Sequence, residues 1–173
     1  MKAIFFDRDG TLMVDTGYCS EPEQVELLDG VAELLPAMKQ AGFKLIIVTN
    51  QSGIGRGYFT EQEFWEVQEA FERKIGAGVI DATYFCADSP AEATERRKPG
   101  PGMLLEAARD LAIQLDHSYM VGDKASDIEA GIRAGVKATI LFARDPAEVG
   151  RACRPTIVAR TFHEVAEFIL RRP

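Results

Sequence analysis

The sequence predicts a three-layer α/β domain built on a mainly parallel sheet, and three observations point to it. Short apolar runs recur along the chain, and several stop abruptly at acidic or small polar groups. The stretches between them carry apolar residues at helical spacing, several opened by capping-box sequences. At 173 residues, with 46% hydrophobic and 27% charged residues, the chain fits one domain with a buried core.

The first run, Ala3 to Phe6, reads as a buried strand that ends at Asp7-Arg8-Asp9-Gly10-Thr11. Strand ends on the carboxyl side of an open α/β sheet carry the chemistry. Asp7 then sits at a strand tip and Asp9 on the following turn, and two carboxylates so close call for a cation or a proton. A hard divalent ion with oxygen ligands, Mg²⁺ above all, answers that need. Leu12–Glu21 shows no period and reads as a loop beside this end. Gly30 to Gly42 has helical spacing at Val31, Leu34, Leu35, Met38 and Ala41, with Pro36 expected to kink the helix or mark its start.

Phe43–Val48 is the second strand, ending in Thr49-Asn50-Gln51-Ser52-Gly53. Gly53, Gly55 and Gly57 surround Arg56 in a loop that can bring backbone N–H groups close to a ligand. Thr60–Glu63 is a capping box opening a helix with Phe64, Val67, Phe71 and Ile75 on one stripe, and Trp65 is expected in or near the core. Asp81–Cys86 reads as a third strand, followed by polar, irregular Ala87–Arg97 and then Lys98-Pro99-Gly100-Pro101-Gly102. Lys98 before proline should be extended, and Pro101 suits the first turn of a helix carrying Leu104, Ala108, Leu111 and Leu115.

Ser118–Val121 is the fourth strand and ends in Gly122-Asp123-Lys124. Ser126–Glu129 reads as a second capping box, for a helix ending near Gly135. Lys137–Phe142 is the fifth strand, Asp145–Glu148 another helix start, and Thr156–Ala159 a candidate sixth, edge strand. Thr161–Glu164 caps a last helix with Val165, Phe168 and Ile169 inward.

Bulk properties narrow the function. The formal charge of −7, with no long basic run, argues against nucleic acid or an anionic membrane as partner. An anionic substrate must therefore be drawn in by a local cluster. No charged-then-apolar leader opens the chain, and no apolar stretch nears the roughly 20 residues that span a bilayer. Cys19, Cys86 and Cys153 are odd in number and scattered, which fits a reducing cytoplasm better than a disulfide framework. His117 and His163 have no acidic or cysteine partner at ligand spacing and read as surface or capping residues.

Four polar strand ends remain: Asp7/Asp9, Thr49/Asn50, Lys98 after its loop, and Asp123/Asp127. A parallel sheet brings such ends to one edge. In this order and spacing they resemble the four motifs of the haloacid dehalogenase (HAD) superfamily of phosphohydrolases, over nearly the whole chain. The finer spelling, Asp7-Arg8-Asp9-Gly10-Thr11, Thr49 through Gly57, Arg97-Lys98-Pro99-x-Pro101-Gly102-Met103 and Gly122-Asp123-Lys124, resembles the heptose-bisphosphate phosphatase branch. The histidinol-phosphate phosphatases are its close relatives. The resemblance implies a Rossmann-like HAD fold spanning residues 1–173 as a single domain without a separate cap.

It also implies roles. Asp7 is the nucleophile that forms an aspartyl-phosphate, and Asp9 is the acid and base. Mg²⁺ is held by Asp7, the Asp9 backbone carbonyl and Asp123, while Asp127 orients Lys124 or a metal-bound water. Thr49 and the amides after it bind the transferring phosphoryl group, and Lys98 neutralises it. Asn50, Ser52, Arg56 and Arg97 are candidates for the sugar or its second phosphate, with Arg97 favoured because arginine grips phosphate bidentately. Many members of the branch hold zinc in the loop before the lysine. Here Cys86 remains, but Asp88, Thr94 and Arg96 stand at the other ligand positions. One thiolate and one carboxylate do not make a tetrahedral site, so no zinc is expected and the loop is expected to be held by packing and turns.

The resemblance therefore points to a cytoplasmic, monomeric, Mg²⁺-dependent sugar phosphatase serving heptose supply for lipopolysaccharide. Its partner is a small sugar phosphate, not nucleic acid or membrane. Histidinol phosphate, or another small phosphate monoester, is the nearest alternative substrate. A phospho-receiver domain uses similar groups but carries its acceptor Asp after a middle strand and would not turn over. A phosphatase acting on nucleic-acid ends would want a basic groove, which the charge disfavours.

Overall fold

The computed structural model describes residues 1–143 and 154–171. Its strands are β1 (Ala3–Phe6), β2 (Lys44–Asn50), β3 (Ala82–Cys86), β4 (Tyr119–Gly122), β5 (Ala138–Phe142) and β6 (Ile157–Ala159). Its helices are α1 (Val31–Gln40), α2 (Ser52–Gly55), α3 (Glu61–Ile75), α4 (Gly102–Asp110), α5 (Ala125–Ala134) and α6 (Phe162–Leu170). The strands form one sheet in the order β3-β2-β1-β4-β5-β6, and every pairing is parallel. The sheet is thus wholly, not mainly, parallel, and Thr156–Ala159 does supply an edge strand. The helix start expected at Asp145–Glu148 and the Cys153 thiol lie outside the described residues.

Alternation along the strands builds two cores. Ile4 and Phe6 face one side, packing with Val31 and Leu35 of α1, Val67 and Phe71 of α3, and Phe162 and Val165 of α6. Ala3 and Phe5 face the other side, against Met103, Leu104 and Ala107 of α4 and Ala130 of α5. Because both faces are covered, the strands read as unbroken apolar runs. Chain connections run outward from β1 through β2 to β3, then resume at β4 on the other flank. The reversal leaves a crevice at the carboxyl ends of β1 and β4, where open α/β sheets bind ligands.

Four local expectations need correction. The first helix spans Val31–Gln40 with Pro36 inside it instead of starting there, so the Ala32 carbonyl forgoes its usual helical partner. Trp65 is 38% exposed; it lies one residue off the buried stripe, edge-on to Phe64 and Phe85, with its Nε1 donating to Glu61. The helix expected to be capped from Ser126 begins at Ala125, because Asp127 reaches back to accept from the Lys124 N–H at 2.9 Å. Leu111 and Leu115 follow the end of α4 rather than lying within it; in α6, Val165 and Ile169 are buried and half-buried Phe168 packs against the same core. No helix among the described residues is long and apolar enough to cross a membrane.

Candidate active site

β1 delivers Asp7 to the crevice, its N–H donating to the Val121 carbonyl of β4 at 2.9 Å. The chain then turns tightly around the Arg8 carbonyl, which accepts from the N–H groups of Thr11, Leu12 and Met13 at 3.3, 2.9 and 3.2 Å. Gly10 makes this turn possible. Its φ is +90°, and an added Cβ would lie 2.4 Å from Asp123 Oδ2. Gly122 serves the same end on β4, since a Cβ there would strike the Asp127 carboxyl at 2.3 Å. The two glycines let three acidic residues from two strands and a helix come together.

At the centre lies Lys98, only 3% exposed. Its ammonium donates to Asp7 Oδ1 at 2.7 Å and to the Val48 carbonyl at 2.7 Å, and pairs with Asp127 Oδ1 at 2.6 Å. Burial alone would lower the Lys98 pKa, but the carboxylates of Asp127 and Asp7 outweigh it and hold the ammonium above its ordinary value. Asn50 fixes the Lys98 backbone in a two-point clamp: Asn50 Nδ2 donates to the Lys98 carbonyl and the Lys98 N–H donates to Asn50 Oδ1, both at 3.0 Å.

Asp7, Asp123 and Asp127 place carboxylate oxygens within 4.8 Å of one another. Burial, then the charge of Asp7, push Asp123 up to about 7, and burial raises Asp127 against the pull of Lys98. Three hard oxygen donors whose charge is not fully balanced by Lys98 are the surroundings a divalent cation requires, so these residues fit Mg²⁺. Asp127 has little left to offer it. One oxygen is engaged by Lys98 and the other by the Lys124 N–H. Asp127 therefore steadies Lys98 and the start of α5; the Lys124 ammonium turns instead to Asp15 at 3.2 Å and Asp123 at 3.8 Å.

Asp9 points to the other side of the turn. It accepts from Gln51 Nε2 at 2.8 Å and from Arg8 Nε at 3.2 Å. The same Gln51 amide donates to Thr49 Oγ1 at 2.9 Å, so one nearly buried side chain ties the end of β2 to Asp9. A small inner cavity of about 40 Å³ is lined by Asp7, Asp9, Thr49, Lys98 and Asp127 among others. It adjoins an outer cavity of about 510 Å³ that shares Asp9, Asn50, Lys98, Lys124 and Ser126 and adds Ser52, Arg97, Asp15 and Tyr18.

The structure thus gathers Asp7, Asp9, Thr49, Asn50, Lys98, Asp123, Lys124 and Asp127, with Ser52 and Arg97 on the outer wall. Arg56 is exposed and lines neither cavity. Sequence reading missed Gln51, whose signal was its place directly after the strand-end Thr49-Asn50. It also missed Asp15 and Tyr18, which sit in a segment read only as a loop. The Asp15-x-Gly17 spacing could have flagged the turn, in which the Gly17 N–H donates to Asp15 Oδ1 at 2.8 Å.

Comparison with known proteins adds relatives. The HAD-hydrolase-like family model matches residues 95–165. A D-glycero-beta-D-manno-heptose-1,7-bisphosphate 7-phosphatase of Helicobacter pylori is 40% identical over 172 residues, covering 97% of each chain. A D-glycero-alpha-D-manno-heptose-1,7-bisphosphate 7-phosphatase of Burkholderia mallei is also 40% identical, over 97% of this chain and 93% of its own. Among solved structures, a D,D-heptose 1,7-bisphosphate phosphatase from B. bronchiseptica, complexed with magnesium and phosphate, superposes with a TM-score of 0.90. It is 30% identical, and the match covers 100% of both chains.

Proposed function

Because this chain belongs to the HAD superfamily, in its heptose-1,7-bisphosphate 7-phosphatase branch, we propose that it removes the 7-phosphate of D-glycero-D-manno-heptose 1,7-bisphosphate. The observation that carries the reading is the Asp7–Lys98–Asp127 chain lining a small inner cavity that opens beside one large enough for a sugar, with Asp9 held there by Gln51.

Asp7 attacks phosphorus and the bond from phosphorus to the sugar oxygen breaks, leaving an aspartyl-phosphate. Asp9 gives its proton to the departing oxygen and takes one back from the water that cleaves the acyl phosphate, releasing inorganic phosphate. Thr49, whose hydroxyl oxygen already accepts from Gln51, has its own proton free to donate to the phosphoryl group. Lys98 balances the charge of that group. Asp7, Asp123 and the Asp9 carbonyl would hold Mg²⁺, which lessens the repulsion between an anionic nucleophile and an anionic phosphate. Arg97, Ser52 and Lys124 on the outer wall provide contacts for the sugar and its second phosphate; Asn50 serves chiefly to position Lys98.

The test is phosphate release in Mg²⁺ from both anomers, beside histidinol phosphate and an aryl phosphate. The expected result is a kcat/KM for one heptose anomer at least about 100-fold above the other phosphates, with loss of turnover on chelation and recovery with Mg²⁺. Equal, weak rates on all would overturn the substrate assignment. Relatives named for the alpha and for the beta anomer are each 40% identical to this chain, so the measurement also sets the anomer. The same reading places the enzyme in lipopolysaccharide heptose supply.

Gln51→Leu should lower kcat by about 10- to 100-fold with little change in KM, because it frees both Thr49 and Asp9 from their shared tether. Steady-state kinetics check this, and an unchanged kcat would remove Gln51 from the machinery.

A further inference from the structure

Between the end of β3 and Lys98 the chain has no regular element beyond a short 3₁₀ turn at Pro90–Glu92, yet Arg97 is set in the cavity wall. Its Nη1 donates to the Asp88 backbone carbonyl at 2.7 Å. The Asp88 side chain in turn grips the far side of the loop. One carboxylate oxygen accepts from the Thr94 N–H at 3.0 Å and from the Thr94 hydroxyl at 2.5 Å. The Arg96 N–H donates to Thr94 Oγ1 at 3.3 Å. Those four positions, Cys86, Asp88, Thr94 and Arg96, are the ones noted in the sequence for lacking a zinc ligand set. Here Asp88, Thr94 and Arg96 are hydrogen-bonded to one another, above a buried Cys86.

We propose that Asp88 is a positioning residue: its carboxylate closes a metal-free clasp that holds Arg97 in place for the anionic group of the substrate remote from the reacting phosphate. The proposal rests on the bisphosphate reading above. Three features support it. Asp88 uses both of its ends, the side chain to fold the loop and the main-chain carbonyl to seat the guanidinium. Hydrogen bonds from Thr94 keep its carboxyl below the usual range, so the acceptor stays ionised. Beyond the clasp the loop is closed by the Gly102 N–H on the Glu95 carbonyl at 2.8 Å and pinned to α4 by Arg96 and Glu106 at 2.9 Å. Freed from Asp88, the segment bearing Arg97 keeps these anchors on one side only.

The experiment compares Asp88→Ala, Asp88→Asn, Thr94→Val, Arg97→Ala and the Asp88→Ala/Arg97→Ala pair on heptose bisphosphate and on an aryl monophosphate. Asp88→Ala should raise KM for the bisphosphate by about fivefold or more, with kcat and the aryl phosphate rate nearly unchanged. Asp88→Asn, which keeps an acceptor oxygen, should recover most of the loss, and Thr94→Val should show the same split more weakly. The paired variant should be no worse than Arg97→Ala alone, because both remove one interaction. Additive losses, or equal losses on both substrates, would overturn the clasp. A second readout does not depend on the substrate: trypsin should cut after Arg96 and Arg97 several-fold faster in Asp88→Ala than in wild type, and an unchanged rate would also overturn it. If wild type fails to prefer the bisphosphate, the substrate reading falls, while the proteolysis result still decides the clasp.

Discussion

Asp7→Asn should remove turnover, by at least about 10⁴-fold in kcat, and leave the folded protein intact. The substitution keeps shape and a hydrogen-bonding oxygen for Lys98 but takes away the proposed nucleophile. Its amide cannot form the acyl phosphate, and no neighbouring group stands in the same place: Asp127 is engaged by Lys98 and the Lys124 N–H, and Asp9 faces Gln51 and Arg8. Single-turnover phosphate release alongside a thermal melt checks both halves. Residual activity within about a hundredfold of wild type would mean that the attack comes from elsewhere.

Lys98→Met has the second-largest expected effect, and it falls on stability as well as rate. The ammonium holds Asp7 and Asp127 together, so its loss leaves two buried carboxylates facing each other. Breaking a buried pair from one side costs about 3 kcal/mol or more, and kcat should fall by about 10³-fold with the charge on the phosphoryl group unanswered. The pH dependence has a definite sign. Burial already holds the Asp127 pKa above its unfolded value, and without Lys98 it rises further. A raised acid destabilises the fold fully above its folded pKa and not at all below its unfolded one. The deficit against wild type should therefore be greatest above the raised Asp127 pKa and shrink as the pH falls through it toward the ordinary carboxylate range, which denaturant melts at several pH values would show. A pH-independent deficit would mean that lost packing, not exposed charge, is the cause.

Why the strands and their polar ends were legible while other details were not follows from how each is encoded. β1, β2, β4 and β5 are buried on both faces, and that alone makes them continuous apolar runs. Asp7, Thr49 and Asp123 then stand out because charge or hydroxyl begins where apolar character stops. Contacts between residues far apart in the chain have no such local mark. Nothing near Asp127 announces that its carboxylate meets Lys98, because that meeting depends on Gly122 letting α5 press against β4. Trp65 was misjudged for a related reason. Its spacing places it beside the stripe, and only the neighbouring Phe85 on β3 determines that it covers a ring edge while remaining exposed. The Asp88–Thr94 bond was equally hidden, since both residues are ordinary loop polar groups until the chain brings them together.

Arg8 carries a consequence of another kind. Its side chain is wholly buried, its guanidinium lies 4.8 Å from the centre of the Phe64 ring on α3, and its Nη1 has no hydrogen-bond partner among the described residues. Asp9 therefore has a buried guanidinium as its neighbour, with Arg8 Nε 3.2 Å from Asp9 Oδ2. An aromatic face is one of the few apolar surfaces against which such a charge can rest without water. Substitutions at positions 8 and 64 should consequently be tolerated as a couple or not at all. The environment of Asp9 is inherited in part from a helix far downstream, and drift in that helix is limited by a site it never touches.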